Sequence, residues 1–423
     1  MTASDSEAAE AHGSIWGIRP FLHYWIGGFV SSTGNWIQNV TASVVMYQLT
    51  GSSLMVGVLQ FANFAPLFAL SIIGGVLSDR FSRVRIVTIT HLFSFVVAAV
   101  LAGLALTERV TPVHLIVCVG LIGSSHAISK PTLAALLPAL VPRKVLARAS
   151  SLNVLQFNLG QVVGSTAATI LLATVGAGFA FAWNAMTFFG PILAMAAISR
   201  HLALQERSNT KGFAAAFAGL AYVRSNARMV AILAAIVLAN GVMEGMRTLA
   251  PGLADSWEGT GPEAAGLLIG ATSAGATTAV LLFGLLQRRL SPLRLLGLGF
   301  ALQILGGVGV ALSPGLSIAM VLAVPIGFGF AILIPLLNAG LQELSADEFR
   351  GRVMSAFSMA HLGVRPAWAL VAGGVAVALS ASGAVALLTV SGLIGLRALR
   401  RIGADRHPGG IVIAPTESKS ADD

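Results

Sequence analysis

Twelve apolar stretches, each near the length that carries a helix across a hydrocarbon core, follow one another along this chain, and that series ties its fold to lipid. They run roughly over 21–48, 54–77, 86–106, 113–138, 150–174, 177–199, 228–250, 264–286, 294–312, 316–341, 354–378 and 381–399. A crossing takes about 20 apolar residues at ~1.5 Å of rise each. Asn35, Gln38 and Asn39 interrupt the first stretch, and the ninth is short. Charged residues are only 10% of the 423, where a soluble domain carries about 25%. So few charges cannot cover a globular surface with solvated groups. The 47 glycines suit close helix–helix approach in lipid.

The charges that do occur are placed asymmetrically. Twenty-two of the 26 Lys and Arg residues fall in alternate loops, from Arg19 through Arg80, Arg83 and Arg85 to Arg350, Arg352 and the last helix end. Arg109 alone lies in a loop of the other set. Basic loops stay on the cytoplasmic side, so the pattern predicts an inner-membrane protein with both termini cytoplasmic. The net charge of +9 is then a topology signal, and no nucleic-acid partner is expected. Residues 1–14 are polar and acidic and lack the basic region and apolar core of a cleavable signal peptide. The single cysteine, Cys118, sits in an apolar run and reads as a small core residue. No metal-ligand spacing appears, and no cofactor or metal is expected.

The halves repeat. Gly75-Val-Leu-Ser-Asp79-Arg80-Phe-Ser-Arg83-Val-Arg85 follows the second stretch, and Gly284-Leu-Leu-Gln-Arg288-Arg289-Leu-Ser-Pro-Leu-Arg294 follows the eighth. A second echo aligns Pro131 with Pro335, Arg148 with Arg352 and Ser151 with Ser355. Two echoes of nearly equal offset imply two six-helix bundles. The expected division is a cytoplasmic tail over 1–19, a bundle over 20–199, a basic linker over 200–227, a second bundle over 228–400 and a disordered cytoplasmic tail over 401–423.

The 75–85 segment resembles the loop motif of the major facilitator superfamily, although Ser82 stands where that motif prefers Gly and Val84 interrupts the basic pair. Asn35-Trp36, Leu49-Thr50-Gly51-Ser52, Leu136-Leu137-Pro138-Ala139-Leu140-Val141-Pro142 and Arg350-Gly351-Arg352-Val353 look like the transmembrane secretion effector branch, which includes enterobactin-exporter-like proteins and drug exporters. The resemblance covers about residues 20–400. It implies an all-α membrane protein of the major facilitator fold, with 12 transmembrane helices in two six-helix bundles related by a pseudo-twofold axis. It also implies a monomer, a substrate site between the halves, and a cytoplasmic gating role for Gly75, Asp79, Arg80 and Arg83. Relatives often have an acidic residue after the Gly of helix 1, where this chain has Gly34-Asn35. Drug-antiporter relatives often have Gly-Pro in helix 5, where this chain has Gly160-Gln161-Val-Val-Gly164. Proton antiport through a helix 1 carboxylate is therefore not implied.

Charges at membrane depth are costly and usually mark a pathway. Lys130, Glu244, Arg247 and Arg365 are four such groups. Asn240, Glu244 and Arg247 share one face of helix 7 by spacing, as do His361, Arg365 and Trp368 on helix 11, and His126 and Lys130 on helix 4. With Asn35, Gln38 and Gln156 they are the candidate cavity residues. Glu244 is the carboxylate within a span, and desolvation and a cation neighbour pull its proton affinity in opposite directions. With Arg247 it is the candidate for proton coupling, or else a permanent pair bracing helix 7. Arg365 has no acid on its own helix and either binds an anionic substrate or hydrogen-bonds carbonyls across the halves. Each histidine is read either as functional or as a bonded core residue, and Trp36, Trp183 and Trp368 either stack on a ligand or pack.

Three functions fit. The first is a secondary active transporter exporting a small organic, anionic, siderophore- or drug-like compound by alternating access, coupled to protons. The second imports a small metabolite or siderophore on the same fold. The third is a non-transporting receptor or lipid-handling protein. An enzyme is not expected, because no G-x-S-x-G, H-E-x-x-H or Walker-type sequence appears.

Overall fold

The computed structural model describes residues 15–199, 222–224, 226–346 and 349–403, without the side chains of 68–69, 71–76, 78–80 and 400–403. The expected tails and the 200–227 linker lie largely outside these residues. The long elements are α1 (Arg19–Thr50), α2 (Ser53–Arg80), α3 (Arg83–Leu106), α4 (Pro112–Leu140), α5 (Leu146–Thr174) and α6 (Gly176–Ile198). In the second half come α7 (Ala227–Asp255), α8 (Ala265–Arg289), α9 (Pro292–Ala311), α10 (Leu316–Glu343), α11 (Arg350–Ser358) and α12 (Arg365–Gly403). No strand occurs among the described residues. A π-helical turn, Met359–Gly363, joins α11 to α12, and α12 breaks where Ser380 takes φ 67°. Span eleven therefore runs from Arg350 to that break, and span twelve follows it. The twelve crossings expected from the sequence are present, and the chain is a multi-pass membrane protein.

The polar interruption in the first stretch does not break α1. Asn39 and Gln60 exchange amide hydrogen bonds of 3.2 and 3.3 Å, Gln60 also donates to Ser43 Oγ at 2.9 Å, and Asn184 donates to Gln38. Side-chain amides in a span are tolerated when a neighbouring helix satisfies them. The Leu49-Thr50-Gly51-Ser52 segment is a turn between α1 and α2. Gly51 sits at φ 61°, where its N–H donates to Tyr47 O at 2.7 Å, and Ser52 Oγ caps α2 by accepting from Met55 N. At 20 residues the short ninth helix still measures ~30 Å, enough to cross.

Lipid tails are as apolar as the side chains, so helices associate by packing rather than by a hydrophobic force. Gly160 and Gly164 show this. A Cβ on Gly160 would lie 2.6 Å from Ser32 Oγ, and one on Gly164 would lie 2.8 Å from Trp36 Cβ, both on α1. The proline-free G-x-x-x-G of α5 is thus the seat of α1. Gly164→Leu is expected to destabilise the protein by about 1–3 kcal/mol through overpacking, seen as a lower melting temperature of the purified protein in detergent.

The halves meet symmetrically. α2 packs on the first part of α12, and α5 packs on α8. The sequence echo relates helix 2 to helix 8, so a twofold exchanges these two contacts. At the end away from the basic loops one core spans both halves, joining Trp36, Val40 and Ala168 to Leu249, Leu253 and Leu268. Thr169 Oγ1 also donates to Glu263 O at 2.9 Å across that seam. At the basic end the described residues form two separate cores, one around Phe21, Leu136 and Ile198 and the other around Ile232, Leu333 and Val353. The molecule is closed at one end and parted at the other.

Candidate functional site

Between the parted halves lies a cavity of about 490 Å³, lined by both bundles. Its second-half wall is built on α7, where Asn240, Glu244 and Arg247 share a face. Glu244 is 1% exposed. Its Oε1 accepts from Arg247 one turn along the helix and from Arg365 Nε at 2.6 Å. A buried carboxylate is tolerable only when paired, and here two guanidinium groups share it. Among the described residues it is the one carboxylate on the cavity wall.

Each arginine also rests on a ring from the first half. Arg365 lies 4.0 Å from the Phe64 ring centroid on α2, and Arg247 lies 5.3 Å from that of Trp36 on α1. Cation–π contacts of this kind are worth about 0.5–2 kcal/mol as desolvation increases. The ion cluster is therefore the inner contact between the halves at the head of the cavity.

The π-helical turn places Arg365. Pro366 has no N–H to give to the carbonyl four residues back, and the change of helical register falls on that turn. Such turns recur at functional sites. This one carries His361, whose Nδ1 lies 3.4 Å from Asn240 Nδ2 and whose ring packs against Phe330 and Phe357.

The first-half wall carries Lys130, exposed into the cavity, and His126, whose Nε2 is buried with no hydrogen-bond partner. Asn35, Gln38 and Gln156 line the same space. Asn35 Nδ2 donates to Ser31 Oγ at 3.4 Å, and its Oδ1 is buried without a partner.

A water-accessible cleft between two pseudo-symmetric six-helix bundles, closed at one end, is the architecture of an alternating-access carrier. Comparison with known proteins agrees: residues 17–410 match the family model described as transmembrane secretion effector. The chain belongs to that family, within the major facilitator superfamily.

Several known proteins are similar to this chain at 24–26% identity. The multidrug efflux pump Tap of Mycolicibacterium fortuitum is 26% identical over 84% of this chain and 89% of its own. The staphyloferrin A transporter of Staphylococcus aureus is 24% identical over 40% of this chain and 43% of its own. The enterobactin exporter EntS of Salmonella choleraesuis is 26% identical over 64% and 65%. The match thus spans under two thirds of the latter two relatives. Among solved structures, a point mutant of the nucleoside transporter NupG superposes with a TM-score of 0.78 at 10% identity, covering 91% of this chain and all of that one, a likeness of fold. Members of this superfamily are transporters, not enzymes.

In this secretion-effector chain, ten of the residues singled out from the sequence reach the cavity wall: Asn35, Gln38, His126, Lys130, Gln156, Asn240, Glu244, Arg247, His361 and Arg365. Trp368 does not. Its indole N–H donates to Val237 O at 2.8 Å, and the ring packs on Gly241 of α7, so it fastens span eleven to α7. Trp183 is 60% exposed on the bundle exterior, a lipid-facing position rather than a stacking platform. Arg365 is not without an acid, as its own helix suggested, because Glu244 comes from α7. Arg83 Nη1 donates to Ala135 O at 3.0 Å and ties α3 to α4, while the side chains of Gly75, Asp79 and Arg80 lie outside those described. The wall also contains Gln60, Asn63 and Phe64 of α2 and His91 of α3. The signal for the first three was a polar pair three residues apart in an otherwise apolar span; His91 carried no spacing partner.

Proposed function

We propose that this protein is a secondary active exporter in the cell inner membrane, acting as a monomer with both termini cytoplasmic. It carries a small organic compound outward by alternating access, coupled to protons through Glu244. The observation that supports this most is the position of Glu244: the one carboxylate on the described cavity wall, bound to two arginines that themselves rest on the opposite bundle. While Glu244 is ionised it holds both guanidinium groups in place. Once it is protonated, the arginines lose their common partner and the contacts on Phe64 and Trp36 are free to rearrange. A proton can thus change how the halves meet at the cavity head, which is what coupling requires. The basic end, open here, faces the cytoplasm by the positive-inside rule, so the state described is the one that loads a substrate from inside. The similarity to an efflux pump and an exporter supports the outward direction.

The test is retention in an efflux-deficient bacterium of anionic, neutral and cationic compounds, with and without a protonophore. Expression should lower retention of at least one compound, and the protonophore should restore it. Accumulation in place of loss would overturn the direction, and loss indifferent to the protonophore would overturn the coupling.

A further inference from the structure

Two cations on the cavity wall come from opposite bundles. Lys130 projects from α4 and Arg365 begins α12, and both line the same cavity. No carboxylate pairs with Lys130 among the described residues. Arg365 uses Nε on Glu244, and among the described residues no hydrogen bond occupies its two terminal nitrogens. Arg247 Nε and His126 Nε2 are buried without hydrogen-bond partners, and His126 lies one helical turn from Lys130. Among the described residues three cations on the wall face one carboxylate, so two positive charges there have no protein counter-ion. Such an arrangement is expensive when empty and is repaid by an anion that accepts the unused donors.

We infer that the cavity holds an anion subsite shared between the halves, with Lys130 and Arg365 binding one carboxylate-bearing organic anion whose apolar body lies against Phe64 and Phe330. The rings on that wall suit a flat, ring-bearing acid. Binding draws α4 and α12 together, because the ligand takes one hydrogen bond from each bundle. Glu244 competes for the same guanidinium, so it acts as a resident anion that the ligand partly replaces. The inference rests on the transport reading above and specifies its substrate class.

The test uses the full chain purified in detergent, with phthalate as the probe and its neutral dimethyl ester as the control, read by thermal shift and by titration. Phthalate should raise the melting temperature and the ester should not. Lys130→Gln, which breaks no contact described here, should weaken phthalate binding about tenfold, the worth of one charge-assisted hydrogen bond. Lys144→Gln, in the basic loop before α5, should leave it unchanged. Glu244→Gln should bind phthalate more tightly even though it is expected to lose proton-driven transport, so failure of the subsite and failure of the coupling are separable. Equal stabilisation by ester and acid, no stabilisation by phthalate, or unaltered affinity in Lys130→Gln would each overturn the inference.

Discussion

Glu244→Gln is expected to reduce protonophore-sensitive efflux at least about 100-fold, the loss of roughly 2.7 kcal/mol of coupling free energy, while the protein still reaches the membrane. The reason lies in the sharing of Oε1. A glutamine keeps the shape but cannot switch charge, so the arginines no longer distinguish a loaded proton from an absent one. The same change leaves two guanidinium groups beside each other without an anion. Removing one partner from a buried ionic group typically costs 3–5 kcal/mol, and the cavity water should keep the penalty near the lower figure, about 3 kcal/mol. A lowered melting temperature with transport lost is the expected pair of results. Full efflux with an ordinary protonophore response in Glu244→Gln would show that coupling lies elsewhere.

The second large effect concerns the closed end. A Cβ built on Gly252 of α7 would lie 2.9 Å from Ser53 Oγ at the start of α2, so these positions touch across the halves. Cysteines at both, introduced together in a Cys118→Ala background, are within reach of a disulfide after a small backbone adjustment. Oxidation should hold that end shut and bring transport to a few per cent of its starting rate, and a reductant should restore it. The single-cysteine controls should respond to neither treatment. Transport unaffected by a bond shown to have formed would mean that the seam between Ser53 and Gly252 does not open during the cycle.

These expectations depend on different layers of information. Twelve crossings, their boundaries and the break between the last two were readable from composition and spacing, because lipid demands a fixed length of apolar helix and satisfies no backbone group itself. The two-bundle plan was readable from the echo around Gly75 and Gly284. The intramembrane charges were equally visible, since burying each costs enough that few occur without a task. Hydrogen-bond partners were less legible. Asn39 looked like an interruption, yet its amide meets Gln60 on the next helix, which periodicity along one helix does not reveal. Trp368 shared a helical face with Arg365 and still reaches Val237 O on α7 rather than the cavity, a choice of neighbour that spacing along one helix does not reveal.

By itself, then, the sequence determined the solvent, the number of helices, their pseudo-symmetric grouping and the short list of polar residues that have reason to be inside. All of these follow from local spacing and the cost of placing charge in hydrocarbon. Only the tertiary structure decided that Glu244 holds Arg365 as well as Arg247, that Phe64 and Trp36 support the two arginines, and that Lys130 faces the cavity from the other bundle. The pairings between helices join residues from 121 positions apart, Glu244 with Arg365, to 301 apart, Phe64 with Arg365, and they depend on how two independently formed bundles meet, a geometry that no single-helix period encodes.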